Sequence, residues 1–151
     1  MQESGQSDLR PEAYERLDKV MLRQPENDRI YFNLGMLSMD DRNPLKAESW
    51  FKKAIELRPD FRSALFNLAL LLNEQKRPKD ALPYLKNLMD FYPDHIKGLI
   101  LLGDIYTNHV KNLDKAEQSY RRILEIDPNH VQGHHNLCVV RIKYTRVLYS
   151  T

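Results

Sequence analysis

The chain carries one cysteine, Cys138, in 151 residues. A disulfide framework and a multi-cysteine zinc site are therefore excluded. Five glycines are too few for a collagen-like chain or a glycine-rich linker. No run of eighteen apolar residues occurs, so no transmembrane helix is expected within this chain. Charge of one sign is also lacking: 23 Lys and Arg against 21 Asp and Glu leave a formal net charge of +2. A strongly basic surface is thus absent, and nucleic acid is not an expected partner. The opening residues Met1–Asp8 are polar and acidic, without the basic start and apolar stretch of a secretory signal. A piece of a larger protein would lack its own address in the same way. No Ser-His-Asp set, glycine-rich phosphate loop or acid pair stands out, so no catalytic residue and no cofactor is assigned. What remains is a soluble globular composition, 42% apolar and 29% charged, at a length suited to one core.

A repeat organises that composition. Glu56-Leu57-Arg58-Pro59-Asp60, Asp90-Phe91-Tyr92-Pro93-Asp94 and Glu125-Ile126-Asp127-Pro128-Asn129 are three versions of one turn. Pro25 precedes Pro59 by 34 residues, Pro93 follows by 34 and Pro128 by 35. The segments starting at Tyr31, Leu65, Leu99 and His134 keep the same step, and an extra residue within 108–112 accounts for the one longer interval. Small residues recur at Gly35, Ala69, Gly103 and Cys138, and again at Ala47, Ala81 and Ala116. A 34-residue period with this punctuation is the tetratricopeptide repeat (TPR) signature.

The expected fold is therefore all-α, a right-handed superhelical solenoid of antiparallel helix pairs. Apolar stripes at helical spacing predict helices near 10–23, 28–41, 44–57, 62–75, 78–91, 96–109, 112–126 and 131–146. Pro44 and Pro78 suit first turns, whereas Pro83 should kink or delay its helix. The organisation reads as a disordered lead over 1–9, a half repeat at 10–27, and full repeats at 28–61, 62–95 and 96–130. A final half repeat with a basic, apolar tail covers 131–151. That tail, with Arg141 where a large apolar residue would pack, reads as a truncated or alternatively ended chain. A second reading is self-association through the C-terminal helix, and a weaker one is a membrane-surface contact.

Candidate binding residues lie on the first helix of each repeat. Asn33, Asn67 and Asn136 share position six, with Leu101 breaking the row. An amide donates and accepts, so a ladder of amides can pair with an extended peptide's backbone whatever its sequence. Phe32 and Phe66 at position five would make part of the groove apolar, and Lys97 at position two could bind an acid. The competing reading is that these asparagines and phenylalanines serve local packing. A chaperone-tail clamp of Lys and Asn at positions five and nine is absent from every unit. His130 and His134 are four apart, but structural or surface roles outweigh metal binding, and no metal site is assigned. Cys138 is expected as an inert buried thiol in a small-residue slot. Glu48, Asp80 and Glu117 are expected at helix starts or on exposed faces.

Three strings carry a more specific likeness. Residues 60–71 (Asp60 to Leu71), 92–104 (Tyr92 to Asp104) and 131–140 (Val131 to Val140) resemble the transmembrane and TPR-containing (TMTC) family, and Tyr31–Leu37 fits as well. The resemblance covers about residues 28–140. It implies the C-terminal TPR region of a polytopic endoplasmic-reticulum membrane protein, facing the lumen. It also implies transfer of mannose from dolichyl phosphate mannose to Ser or Thr of cadherin-type proteins. Catalysis and donor binding would belong to a membrane portion outside this chain. Past Val140 the sequence departs from the family's pattern. The alternative is a stand-alone cytoplasmic TPR adaptor that binds a peptide segment and has no link to glycosylation.

Overall fold

The computed structural model describes residues 8–150. These residues form eight helices and no strand: α1 (Arg10–Arg23), α2 (Asp28–Asp40), α3 (Pro44–Leu57), α4 (Arg62–Glu74), α5 (Pro78–Phe91), α6 (Ile96–Asn108), α7 (Leu113–Ile126) and α8 (Val131–Tyr149). The expected lead over 1–9 falls mostly outside the described residues. Asp8, which is described, accepts from the Arg10 guanidinium at 2.8 Å. The chain divides into two compact units, Met1–Ala64 and Leu65–Thr151.

In the first unit α2 packs on both α1 and α3. The pairing of α2 with α3 follows from one size match. Gly35 lies where an added Cβ would stand 2.5 Å from the Phe51 ring, so only glycine lets α3 come this close. Ala47, Phe51 and Ala54 on α3 are completely buried. Ile30, Tyr31 and Leu34 complete the core, with Phe61 and Ala64 closing it. The Tyr31 ring stacks on Trp50 at 5.8 Å between centroids, and its hydroxyl donates to the Pro25 carbonyl at 2.7 Å. Burying each such large apolar side chain contributes about 1.5–3 kcal/mol. By contrast α1 has no fully buried residue. It is held partly by polar contacts: the Tyr14 hydroxyl donates to Asp41 at 2.7 Å, and Arg10 pairs with Asp41 at 2.8 Å.

In the second unit α6 packs on α5 and α7, and α7 on α8. The size match recurs: a Cβ on Gly103 would stand 2.6 Å from the Tyr120 ring. Ala81, Leu85 and Leu88 of α5 and Ala116, Tyr120 and Ile123 of α7 are buried against this framework. The buried Thr107 hydroxyl returns its hydrogen bond to the Gly103 carbonyl at 2.8 Å, as Ser38 does to Leu34 in the first unit.

The turns within the helix pairs share a device. Arg42, Lys76 and Lys111 adopt left-handed backbone, with φ of 55°, 62° and 57°. The following amides close these turns: Asn43 N–H donates to Ser38 and Arg77 N–H to Leu72, both at 2.8 Å. Glycine is the usual residue at such a helix end, and none of the three positions has it. Asn43 and Asn112 then cap the next helix, accepting from the amides of Lys46 and Lys115.

Two expectations are corrected, and a third in part. Pro83 neither delays nor interrupts α5, which starts at Pro78 and runs to Phe91. Pro83 and Lys79 are both exposed, so the Lys79 carbonyl that loses its amide partner is left to water. Glu48 is not at an exposed position: it is 8% exposed and pairs with Lys52 one turn on, at 2.7 Å. Cys138 is exposed rather than buried. Its slot is filled elsewhere by a large side chain from the second helix of the pair, and no such helix follows α8 among the described residues.

Candidate functional site

The residues singled out in the sequence lie on α2 in the first unit, and on α4, α6 and α8 in the second. On α2, Asn33 is exposed and lines a cleft of about 650 Å³ with Met36, Leu37 and residues of α1 such as Ala13 and Leu17. Phe32 is half-buried and packs between Phe51 and Phe61, at 5.8 and 5.1 Å between ring centroids. Phe61 in turn carries the Arg58 guanidinium 4.2 Å over its ring. Phe32 is thus largely a rim of the first unit's core.

In the second unit Phe66 and Asn67 are half-buried on α4, and the Phe66 ring lies 5.2 Å from the His95 imidazole. Lys97 is exposed at the first turn of α6. Asp104, two turns further along α6, accepts from the Tyr120 hydroxyl at 2.5 Å and from the Asn136 amide of α8 at 3.4 Å. Lys143 of α8 reaches Asn108 of α6 at 3.1 Å. These two bonds span neighbouring first helices, so α6 and α8 stand side by side with Asp104 and Asn136 at their junction. Of the three asparagines, Asn136 is therefore engaged in a repeat-to-repeat contact while keeping its carbonyl as an acceptor.

Burial, followed by the hydrogen bond to Asp104, pushes the Tyr120 phenol well above its usual range. Asp104 occupies position nine, where Leu70 and Val139 stand on α4 and α8. The sequence showed the acid but not its partners. The usable signal was the coincidence of Asp104, Tyr120 and Asn136 at one helix-pair junction.

The histidines weighed for metal binding have structural duties. His130 Nδ1 accepts from the Gly133 amide at 3.0 Å and caps α8, as His95 Nδ1 caps α6 from Gly98 at 2.9 Å. His134 Nε2–H donates to the Pro128 carbonyl at 2.6 Å. A His-x-x-Gly pattern at 95–98 and 130–133 was the available signal. Glycine three residues on lets the imidazole close over the helix end.

Helix pairs of this length, closed by small-to-large contacts, define the tetratricopeptide-repeat class. Two tetratricopeptide repeat family profiles match, over residues 28–61 and 72–138. Among solved structures, MamA from Desulfovibrio magneticus RS-1 gives a TM-score of 0.77 at 21% identity, covering 90% of this chain and 76% of that one. YrrB, described as a TPR protein with an unusual peptide-binding site, gives 0.75 at 22% identity over 89% of this chain and 71% of its own. At those identities the likeness concerns the fold. Sequence relatives are much nearer. Protein O-mannosyl-transferase Tmtc3 of Drosophila melanogaster is 54% identical over 143 residues, covering 95% of this chain and 15% of that protein. Protein O-mannosyl-transferase TMTC3 of Mus musculus is 60% identical over 148 residues, covering 98% and 16%. The chain matches the TPR region of the TMTC family. It spans about one-sixth of the length of these relatives, within a TPR stretch. None of the helices among the described residues is long and apolar enough to cross a membrane.

Proposed function

We propose that the chain is a peptide-binding TPR segment serving protein O-mannosylation. In this reading the faces of α4, α6 and α8 that carry Asn67, Lys97 and Asn136 hold an extended stretch of an acceptor protein, and Asn33 does the same on α2. Phe66 supplies an apolar contact beside Asn67. The acceptors are Ser- and Thr-bearing segments of cadherin-type proteins, met in the lumen of the endoplasmic reticulum. Mannose transfer from dolichyl phosphate mannose belongs to parts of the relatives that this chain does not cover.

The observation that carries the reading is 54–60% identity to O-mannosyltransferases over nearly the whole chain. The half-buried residues Asn67 and Asn136, two repeats apart, support it, because a side-chain amide suits both the donors and the acceptors of a peptide backbone. The test is affinity for an extended Ser/Thr-containing peptide from a cadherin-type domain. Asn67→Ala should weaken binding about tenfold, the effect of roughly one or two hydrogen bonds. Helix content by circular dichroism should not change. Unaltered affinity in that variant would remove the amide from the account.

A further inference from the structure

A cleft of about 790 Å³ opens in the second unit between the turn that joins α6 to α7 and the last turns of α8. Lys111 with Val110 forms one wall, and Lys143, Arg146 and Val147 form the other. Its charge is mostly positive, three cations against one acid. None of the three cations pairs with a carboxylate among the described residues; Lys143 donates only to the neutral Asn108 side chain, at 3.1 Å. The acid in the cleft, Asp114, is occupied by the Tyr144 hydroxyl. Elsewhere basic residues are commonly matched: Arg16 with Glu12, Lys52 with Glu48, Arg58 with Asp28 and Arg122 with Asp94.

The cleft is also shaped. Lys111 sits in the tight turn at φ 57°, and Asn112 caps α7 right after it, so the wall bearing Lys111 is set by backbone hydrogen bonds. Val110 and Val147 put apolar surface beside the charges, with Val147 59% exposed. Three unmatched cations around a concave, partly apolar cleft complement a chain of carboxylates that can enter it. A flat lipid surface would meet the rim only.

We propose that this cleft is a docking site for an extended acidic segment of a partner protein, with Asp or Glu side chains reaching Lys111, Lys143 and Arg146. The site is separate from the α4, α6 and α8 faces of the proposed function and does not rest on that reading. The probe is a fluorescein-labelled peptide of repeated Glu-Val-Ser, followed by anisotropy on the full chain. A counterpart carries Lys in place of each Glu. The acidic peptide should bind, its affinity should fall as salt rises, and the Lys counterpart should not bind.

The neutral double variant Lys111→Gln/Arg146→Gln should lose about tenfold in affinity, in line with two partly exposed charge pairs. Lys111→Glu/Arg146→Glu should lose more. Lys19→Glu/Arg23→Glu on α1, with a matched charge change, should bind as the native chain does. Circular dichroism keeps misfolding apart from lost binding. Equal affinity for the acidic and basic peptides would overturn the proposal. So would unchanged binding in the folded Gln variant. Capture of inorganic phosphate or phosphatidylserine vesicles in place of the peptide would also overturn it.

Discussion

Gly103 and Tyr120 occupy one space: a Cβ built on the glycine would lie 2.6 Å from two carbons of the ring, inside any normal contact distance. The ring is 2% exposed and its hydroxyl is tied to Asp104, so it has little room to retreat. Gly103→Ala should therefore lower stability by about 1–3 kcal/mol through overpacking. Helix propensity alone would raise it by about 1 kcal/mol. Urea denaturation decides between the two signs. Gly35→Ala against Phe51 should behave alike.

Tyr120 also sets an alkaline limit. Burial raises its pKa above the usual value near 10, so the folded state keeps the phenol protonated where the unfolded chain would ionise. That contribution is complete below about pH 10 and drains away as pH rises above it. Tyr120→Phe should cost about 1 kcal/mol at pH 7, because Asp104 loses a donor. It should also show a shallower loss of stability above pH 10 than the native chain. Urea midpoints at the two pH values measure both effects.

The helix-pair turns invite a stabilising change. Lys76 holds φ at 62°, a conformation that costs an L-residue about 1 kcal/mol and glycine almost nothing. Lys76→Gly should raise the melting temperature by a few degrees, less a part returned through the greater freedom of the unfolded chain. A lower melting temperature would mean that the Lys76 side chain contributes more than the turn costs.

The helices were legible because their ends are written locally. Pro44 and Pro78 open second helices, and Asn27, Asn43 and Asn112 cap. The small slots at Gly35 and Gly103 were legible because each implies a large neighbour, found in Phe51 and Tyr120. The left-handed turns were not, since Arg42, Lys76 and Lys111 do not announce that conformation as glycine would. Cys138 misled because its slot is defined by a partner helix that is absent from the described residues. Glu48 misled because charge was read without the Lys52 that lets it sit among buried groups. On the candidate site, the sequence located Asn136 but not its bond to Asp104, which depends on two first helices lying side by side.

The most direct measurement is backbone amide NMR of the full chain titrated with the cadherin-type peptide. The account predicts that the amide signals of Asn67, Lys97 and Asn136 shift together on one binding curve. Shifts confined to α5 and α7, with those three signals unmoved, would contradict it.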